Sequence, residues 1–128
     1  MSNRTGAETP AEMVNRAATT IKNAAHAQRG AELDHHALGS LALALERALD
    51  AVFAVNSNLG AQLTHHGEGR RPRTDTDRGP EEVLAAAMDH GRTLDIALRQ
   101  ARQAAHSMAG EFARLAVPPD PDDLVDGR

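Results

Sequence analysis

Apolar residues recur at alternating steps of three and four along most of the chain, the spacing that places them on one face of a helix. The first such stripe is short and weak: Val14, Ala17, Ile21 and Ala24. Thr9-Pro10-Ala11-Glu12 stands in front of it and fits a capping box, with Thr9 as N-cap, Pro10 at the first helical position and Glu12 reaching back. Gly30 follows it, and glycine readily takes the left-handed conformation that ends helices. A helix over about residues 10–29 is predicted.

The second stripe is longer: Leu38, Leu41, Leu45, Ala48, Val52, Val55 and Leu59, widened on one side by Leu49, Phe53 and Leu63. It predicts a core-facing helix over about 32–66. Asn56, Ser57 and Asn58 interrupt its apolar character. A polar residue beside a helical seam can fix register at some cost in stability; the plainer reading is a locally solvated face. The third stripe keeps its spacing furthest: Leu84, Ala87, Gly91, Leu94, Leu98, Ala101, Ala105, Met108, Phe112 and Leu115 predict a helix over about 80–116. Pro80, Glu81 and Glu82 suit its first turn, and Asp95 with Arg99 forms an acid-before-base pair on its outer surface.

Between these helices, residues 67–79 contain Gly, Pro and charge but no apolar residue, and read as a loop. Residues 1–8 read as a disordered N-terminus, and 118–128, behind the stop at Pro118-Pro119, as a disordered acidic tail. The expected fold is all-α: one helical domain over 9–117, in which helices 32–66 and 80–116 return on one another as a long antiparallel hairpin. Each is about 50 Å long at 1.5 Å per residue. The first helix has about half that length and covers only part of the hairpin. Apolar surface left over predicts self-association, most simply a symmetric dimer with a four-helix core; a monomeric three-helix bundle is the rival.

Composition narrows the picture. There are 25 alanines and only two aromatic residues, Phe53 and Phe112, which favours helix over strand. Without Trp or Tyr the chain lacks the usual anchors of tight interfaces and the stacking platforms used on single-stranded nucleic acid. The absence of cysteine removes disulfides, thiolate metal sites and thiol nucleophiles. The net charge of −4 argues against a general nucleic-acid binder. Thirteen arginines against one lysine, with many Ala and Gly, suit a GC-rich, bacterial genome. No apolar run approaches the ~18 residues needed to span a bilayer. The polar N-terminus lacks a signal-type apolar segment, so a cytoplasmic location is expected.

Candidate chemistry is sparse. Glu32-x-x-His35 matches in spacing the Glu-x-x-His element of di-iron bundles, and an antiparallel hairpin brings His35 and His36 near the level of His106. The stripes, however, place His36 and His106 outward, and no second Glu-x-x-His exists. Glu32, His35, His36 and His106 are therefore candidate metal ligands set against a reading as surface and helix-end residues, and no cofactor is expected. His65-His66 suits a helix C-terminus when protonated. Ser40 and Ser107 lack a nucleophile-elbow setting, no phosphate-cradling loop is present, and no paired acids sit on an apolar face. An enzyme is not expected. Arg70, Arg71, Arg73 and Arg78 form the only basic cluster and could contact phosphates, but Glu68, Asp75 and Asp77 dilute it.

In outline, two long Ala-rich antiparallel helices resemble the hairpins of the WXG100 class of type VII secretion. Those carry a Trp-x-Gly turn and a Tyr-containing export signal, and this chain has neither Trp nor Tyr. The resemblance is one of shape.

The function expected from these features is a non-catalytic protein–protein interaction or scaffolding module that self-associates through its hairpin. Interface or core positions would be Leu38, Leu41, Leu45, Val52, Leu59, Leu84, Leu94, Leu98, Met108 and Phe112. Two alternatives are a nucleic-acid accessory protein acting through Arg70–Arg78 and a metal- or small-ligand-binding bundle.

Overall fold

A computed structural model of the chain describes residues 6–69 and 79–115. Among these residues there are three helices and no strand: α1 (Pro10–Arg29), α2 (His35–Gly69) and α3 (Pro80–Leu115). They fall into two compact units, Met1–Asp34 with α1 and His35–Arg128 with α2 and α3, each described by itself.

In α1 the capping box forms in full. The Thr9 hydroxyl accepts from the Glu12 backbone N–H at 3.1 Å, and the Glu12 carboxylate accepts from the Thr9 N–H at 2.8 Å. Two of the orphan donors at the helix start are thereby satisfied. Arg16 reaches back to Glu8, donating from Nε at 2.8 Å, and this hydrogen bond holds the Glu8 carboxyl below its ordinary pKa. At the other end Gly30 is the C-cap as expected, but its backbone is not left-handed (φ −95°, ψ 2°). The helix closes instead by tightening: the Gly30 N–H donates to Ala27 O and the Ala31 N–H to Gln28 O, both at 3.3 Å.

The second helix begins later and ends later than its sequence suggests. It starts at His35, directly after Asp34, so Glu32 lies outside it. Aspartate in general favours the cap over the helix interior, a preference that agrees with a start directly after Asp34. At the far end Gly67, Glu68 and Gly69 continue the helix. The rest of the expected loop, 70–78, lies outside the described residues, as do residues 1–5 of the expected disordered N-terminus 1–8 and the whole of the expected tail 118–128. The third helix starts at Pro80, where the Glu82 carboxylate accepts from the Gly79 N–H at 3.2 Å. This is half a capping box, since Gly79 has no side chain to return the bond.

Together α2 and α3 pack as a helical hairpin. Its seam is spaced by sevens. On α2 it runs through Ala42, Leu49, Asn56 and Leu63, and on α3 through Leu84, Gly91, Leu98, Ala105 and Phe112. Ala42, Asn56, Leu98 and Ala105 are buried and the others half-buried. Small residues in the seam let the helices approach: a Cβ added at Gly39 would lie 3.4 Å from the Phe112 Cβ. The core is thin, and no described side chain is completely sealed from solvent.

The expected α2 stripe does not lie in this seam. Leu45, Val52, Val55 and Leu59 are all more than two-fifths exposed, and so are Leu94 and Leu115 on α3. The apolar face of α2 is wider than one neighbouring helix can cover. The part that packs is the part carrying Ala42, Leu49, Phe53 and Asn56.

Candidate interaction surface

Each residue of an α-helix advances about 100° around the axis, so a step of three falls about 60° short of a full turn and a step of four about 40° beyond it. Residues three and four after a seam position therefore sit on opposite flanks of the seam. In both helices these flanks differ in chemistry.

Four residues after the seam, the middle of the hairpin carries side chains that are polar, or apolar and capped by charge: Glu46 and Phe53 on α2, Asp95 and Arg102 on α3; Gly60, Met88 and Ala109 complete this flank. The polar and capped side chains build a charged edge. Arg102 Nη2 donates to Asp50 Oδ1 at 2.6 Å across the seam, and His106 Nδ1 lies 2.9 Å from Glu46 Oε2. Arg99 Nε pairs with Asp95 Oδ2 at 3.0 Å within α3. The Asp95 carboxylate of this expected surface pair is half-buried rather than outward. The guanidinium carbons of Arg102 and Arg99 stand 4.5 and 5.7 Å from the centre of the Phe53 ring, so one of the two aromatic rings is roofed by cations. Glu46, Asp50, Arg99, Arg102 and His106 line one shallow open groove with Leu43, Arg47 and Gln103.

Three residues after the seam the described side chains are apolar, apart from His66 at the end of α2. Leu45, Val52 and Leu59 follow Ala42, Leu49 and Asn56; Leu94, Ala101, Met108 and Leu115 follow Gly91, Leu98, Ala105 and Phe112. In an antiparallel pair, equal rotation on each helix leads to the same side of the hairpin. The cross-helix ion pairs lie on the four-after side, so the three-after residues share the other. There they form one continuous face that is aliphatic and exposed: Leu45 45%, Val52 44%, Leu59 51%, Leu94 46%, Met108 40%.

Between these two edges Asn56 crosses the seam. It is 8% exposed, and its Nδ2 donates to the Gly91 carbonyl at 3.1 Å. The register reading of this polar residue therefore applies, whereas neighbouring Ser57 and Asn58 are exposed and solvated. No buried side-chain polar atom among the described residues lacks a partner.

The candidate metal ligands do not assemble. Glu32 is outside α2, so Glu32-x-x-His35 does not form one helix face; His35 and His36 are exposed at the first turn, and His106 is turned to Glu46. His36 and His106 do line a second shallow groove, with Gly39 and Phe112 beside them. Among the described residues no three His, Asp or Glu side chains converge. His65 and His66 are exposed, with His66 in the last turn of α2. Arg70, Arg71, Arg73 and Arg78 lie outside the described residues. Of the expected interface or core positions, Leu98 is buried and Leu38, Leu41, Leu84 and Phe112 are half-buried, while Leu45, Val52, Leu59, Leu94 and Met108 lie on the exposed face. Apart from the Asp95–Arg99 pair, the charged edge is absent from the expectations. Its signal was present: acids at Glu46 and Asp50 face bases at Arg102 and His106 once the helices run antiparallel.

No described helix is long and apolar enough to cross a membrane. No protein-family model matches the chain, and neither the curated proteins nor the solved structures searched contain a match.

Proposed function

We propose that this protein is a non-catalytic interaction or scaffolding module whose working surface is the aliphatic face of the α2–α3 hairpin. The observation that carries the reading is the asymmetry of the two flanks. One uses its charges internally, in pairs that bind the helices together; the other leaves Leu45, Val52, Leu59, Leu94 and Met108 half in water. A contiguous apolar face of this kind, bounded by polar residues, is characteristic of protein-binding surfaces. Its geometry suits helix-on-helix docking, with side chains spaced by threes and fours as anchors. The grooves of the hairpin are open and shallow, and Glu46 and Asp50 beside them pair with His106 and Arg102 at half-buried or exposed positions. None is placed in the desolvated setting that tunes a catalytic acid or base.

The reading is tested by placing a photo-crosslinking amino acid at Val52, on the face, or at Arg47, which points away from it, in cells that make the protein. Discrete protein adducts are expected from position 52 and not from position 47. Absence of any adduct at 52, or equal adducts at both, would count against an interaction module.

A further inference from the structure

We propose that the occupant of the aliphatic face is the same face of a second copy of this chain, the two copies related by a two-fold axis and forming a four-helix layer. This deepens the interaction reading and rests on it. The first argument is charge. From Leu41 to Leu59 the charged residues of α2 are Glu46, Arg47 and Asp50; from Leu94 to Leu115 the titratable residues of α3 are Asp95, Arg99, Arg102, His106, Glu111 and Arg114. Glu46, Asp50, Asp95, Arg99, Arg102 and His106 are paired on the opposite edge, and Glu111 pairs with Arg114 within α3 at one end of the face. The middle of the face, around Ala48, Val52 and Ala101, therefore offers nothing to neutralise a charged partner, and a charge buried against it would be desolvated without compensation. Its complement must be uncharged, aliphatic and smooth, and this chain presents such a surface on itself.

The second argument is area. The face is about 30 Å long, at 1.5 Å per residue along α3 from Leu94 to Leu115, and two helices or about 20 Å wide. Two copies would remove roughly 1,200 Å² from water, which meets the lower bound of stable protein interfaces. The third argument is shape. The small residues Ala48 and Ala101 lie in the middle of the face, with Leu45, Leu59, Leu94 and Met108 around them. A two-fold through the small-residue middle lets the backbones approach there while the larger side chains of each copy flank the other's alanines.

The deciding experiment is light scattering after size exclusion on the full chain at micromolar concentration. Mass is read by refractive index because Trp and Tyr are absent. The wild type should run at twice its 13.6 kDa, with at most a twofold change in dissociation constant between low and high salt. Val52→Glu and Leu94→Glu should shift the mass to that of one chain, with helical circular dichroism retained, while Arg47→Glu stays dimeric. Should the glutamate variants unfold, carbene footprinting of the wild type decides instead: labelling of Leu59, Leu94 and Met108 must fall as concentration rises. A monomeric wild type overturns the second copy, and adducts at position 52 to a different protein would then leave the interaction reading standing. A dimer that survives both glutamate substitutions, or footprint protection confined to the charged edge, also overturns it.

Discussion

At the scale of single residues, two side chains set the hairpin's internal geometry. Asn56 is the only buried polar residue described, and its partner is a backbone carbonyl on the facing helix, so its hydrogen bond depends on level as well as distance. Asn56→Ala should lower stability by about 1 kcal/mol in urea unfolding followed by circular dichroism, the usual net worth of such a bond. The cost stays near that figure because the Gly91 carbonyl has a second lone pair and keeps its place in the helix. Arg102 makes two contacts at once, an ion pair with Asp50 and a stack on Phe53. Arg102→Ala should cost about 1–2 kcal/mol, more than an exposed ion pair alone. In a double-mutant cycle, Phe53→Leu should recover about 0.5–1 kcal/mol of that loss, since the stack is then already gone. No coupling in the cycle would reduce Arg102 to an ordinary surface pair.

At the scale of elements, helix starts follow local chemistry closely and helix ends less so. Thr9, Pro10 and Glu12 form the cap that their spacing predicts, and Pro80 with Glu82 opens α3. Thr9→Ala should cost α1 about 1 kcal/mol, read as a loss of amide protection at Glu12, Met13 and Val14 by hydrogen exchange. Glycines inside α2 separate two roles. A Cβ at Gly60 meets no atom within 4 Å, whereas one at Gly39 meets the Phe112 Cβ at 3.4 Å. Gly60→Ala should therefore stabilise the hairpin by about 0.5–1 kcal/mol through the lower entropy cost of alanine in a helix. Gly39→Ala should return less of that gain, because Phe112 must yield slightly. Equal gains at both positions would show that the end of the hairpin near Gly39 is looser than its contact distance implies. The late start of α2 and its extension through Gly69 are also effects at this scale. Aspartate's preference for caps agrees with a start directly after Asp34, and Gly67 and Gly69 do not by themselves end the helix before Gly69.

At the scale of the whole molecule, the two flanks predict opposite responses to salt. Ion pairs on the charged edge are solvent-exposed and weaken as the screening length shrinks, whereas an aliphatic interface has no such dependence. If the face is covered by a second copy, the melting temperature should rise with protein concentration, because association stabilises only the folded chain. It should do so equally at low and high salt. A melting temperature independent of concentration over a hundredfold range would place the hairpin's stability entirely within one chain.

Much of this protein was determined by its sequence alone. Helix content, the number of helices, the α1 cap, the start of α3 and the pairing of α2 with α3 are all consequences of local propensity and of apolar spacing, and these act over a few residues at a time. Which part of each broad apolar face becomes the seam was decided by the tertiary structure. Leu45, Val52 and Leu59 continue as regular a stripe as Ala42, Leu49, Asn56 and Leu63, and by hydrophobicity a better one. The seam went to the second set where Ala42 on α2 and Gly91 and Ala105 on α3 let the helices close. It also gives Asn56 a carbonyl to bind, and it brings Glu46 and Asp50 against His106 and Arg102 on one edge. Each of those advantages needs both helices in place before it exists, so no stretch of a single helix could reveal it.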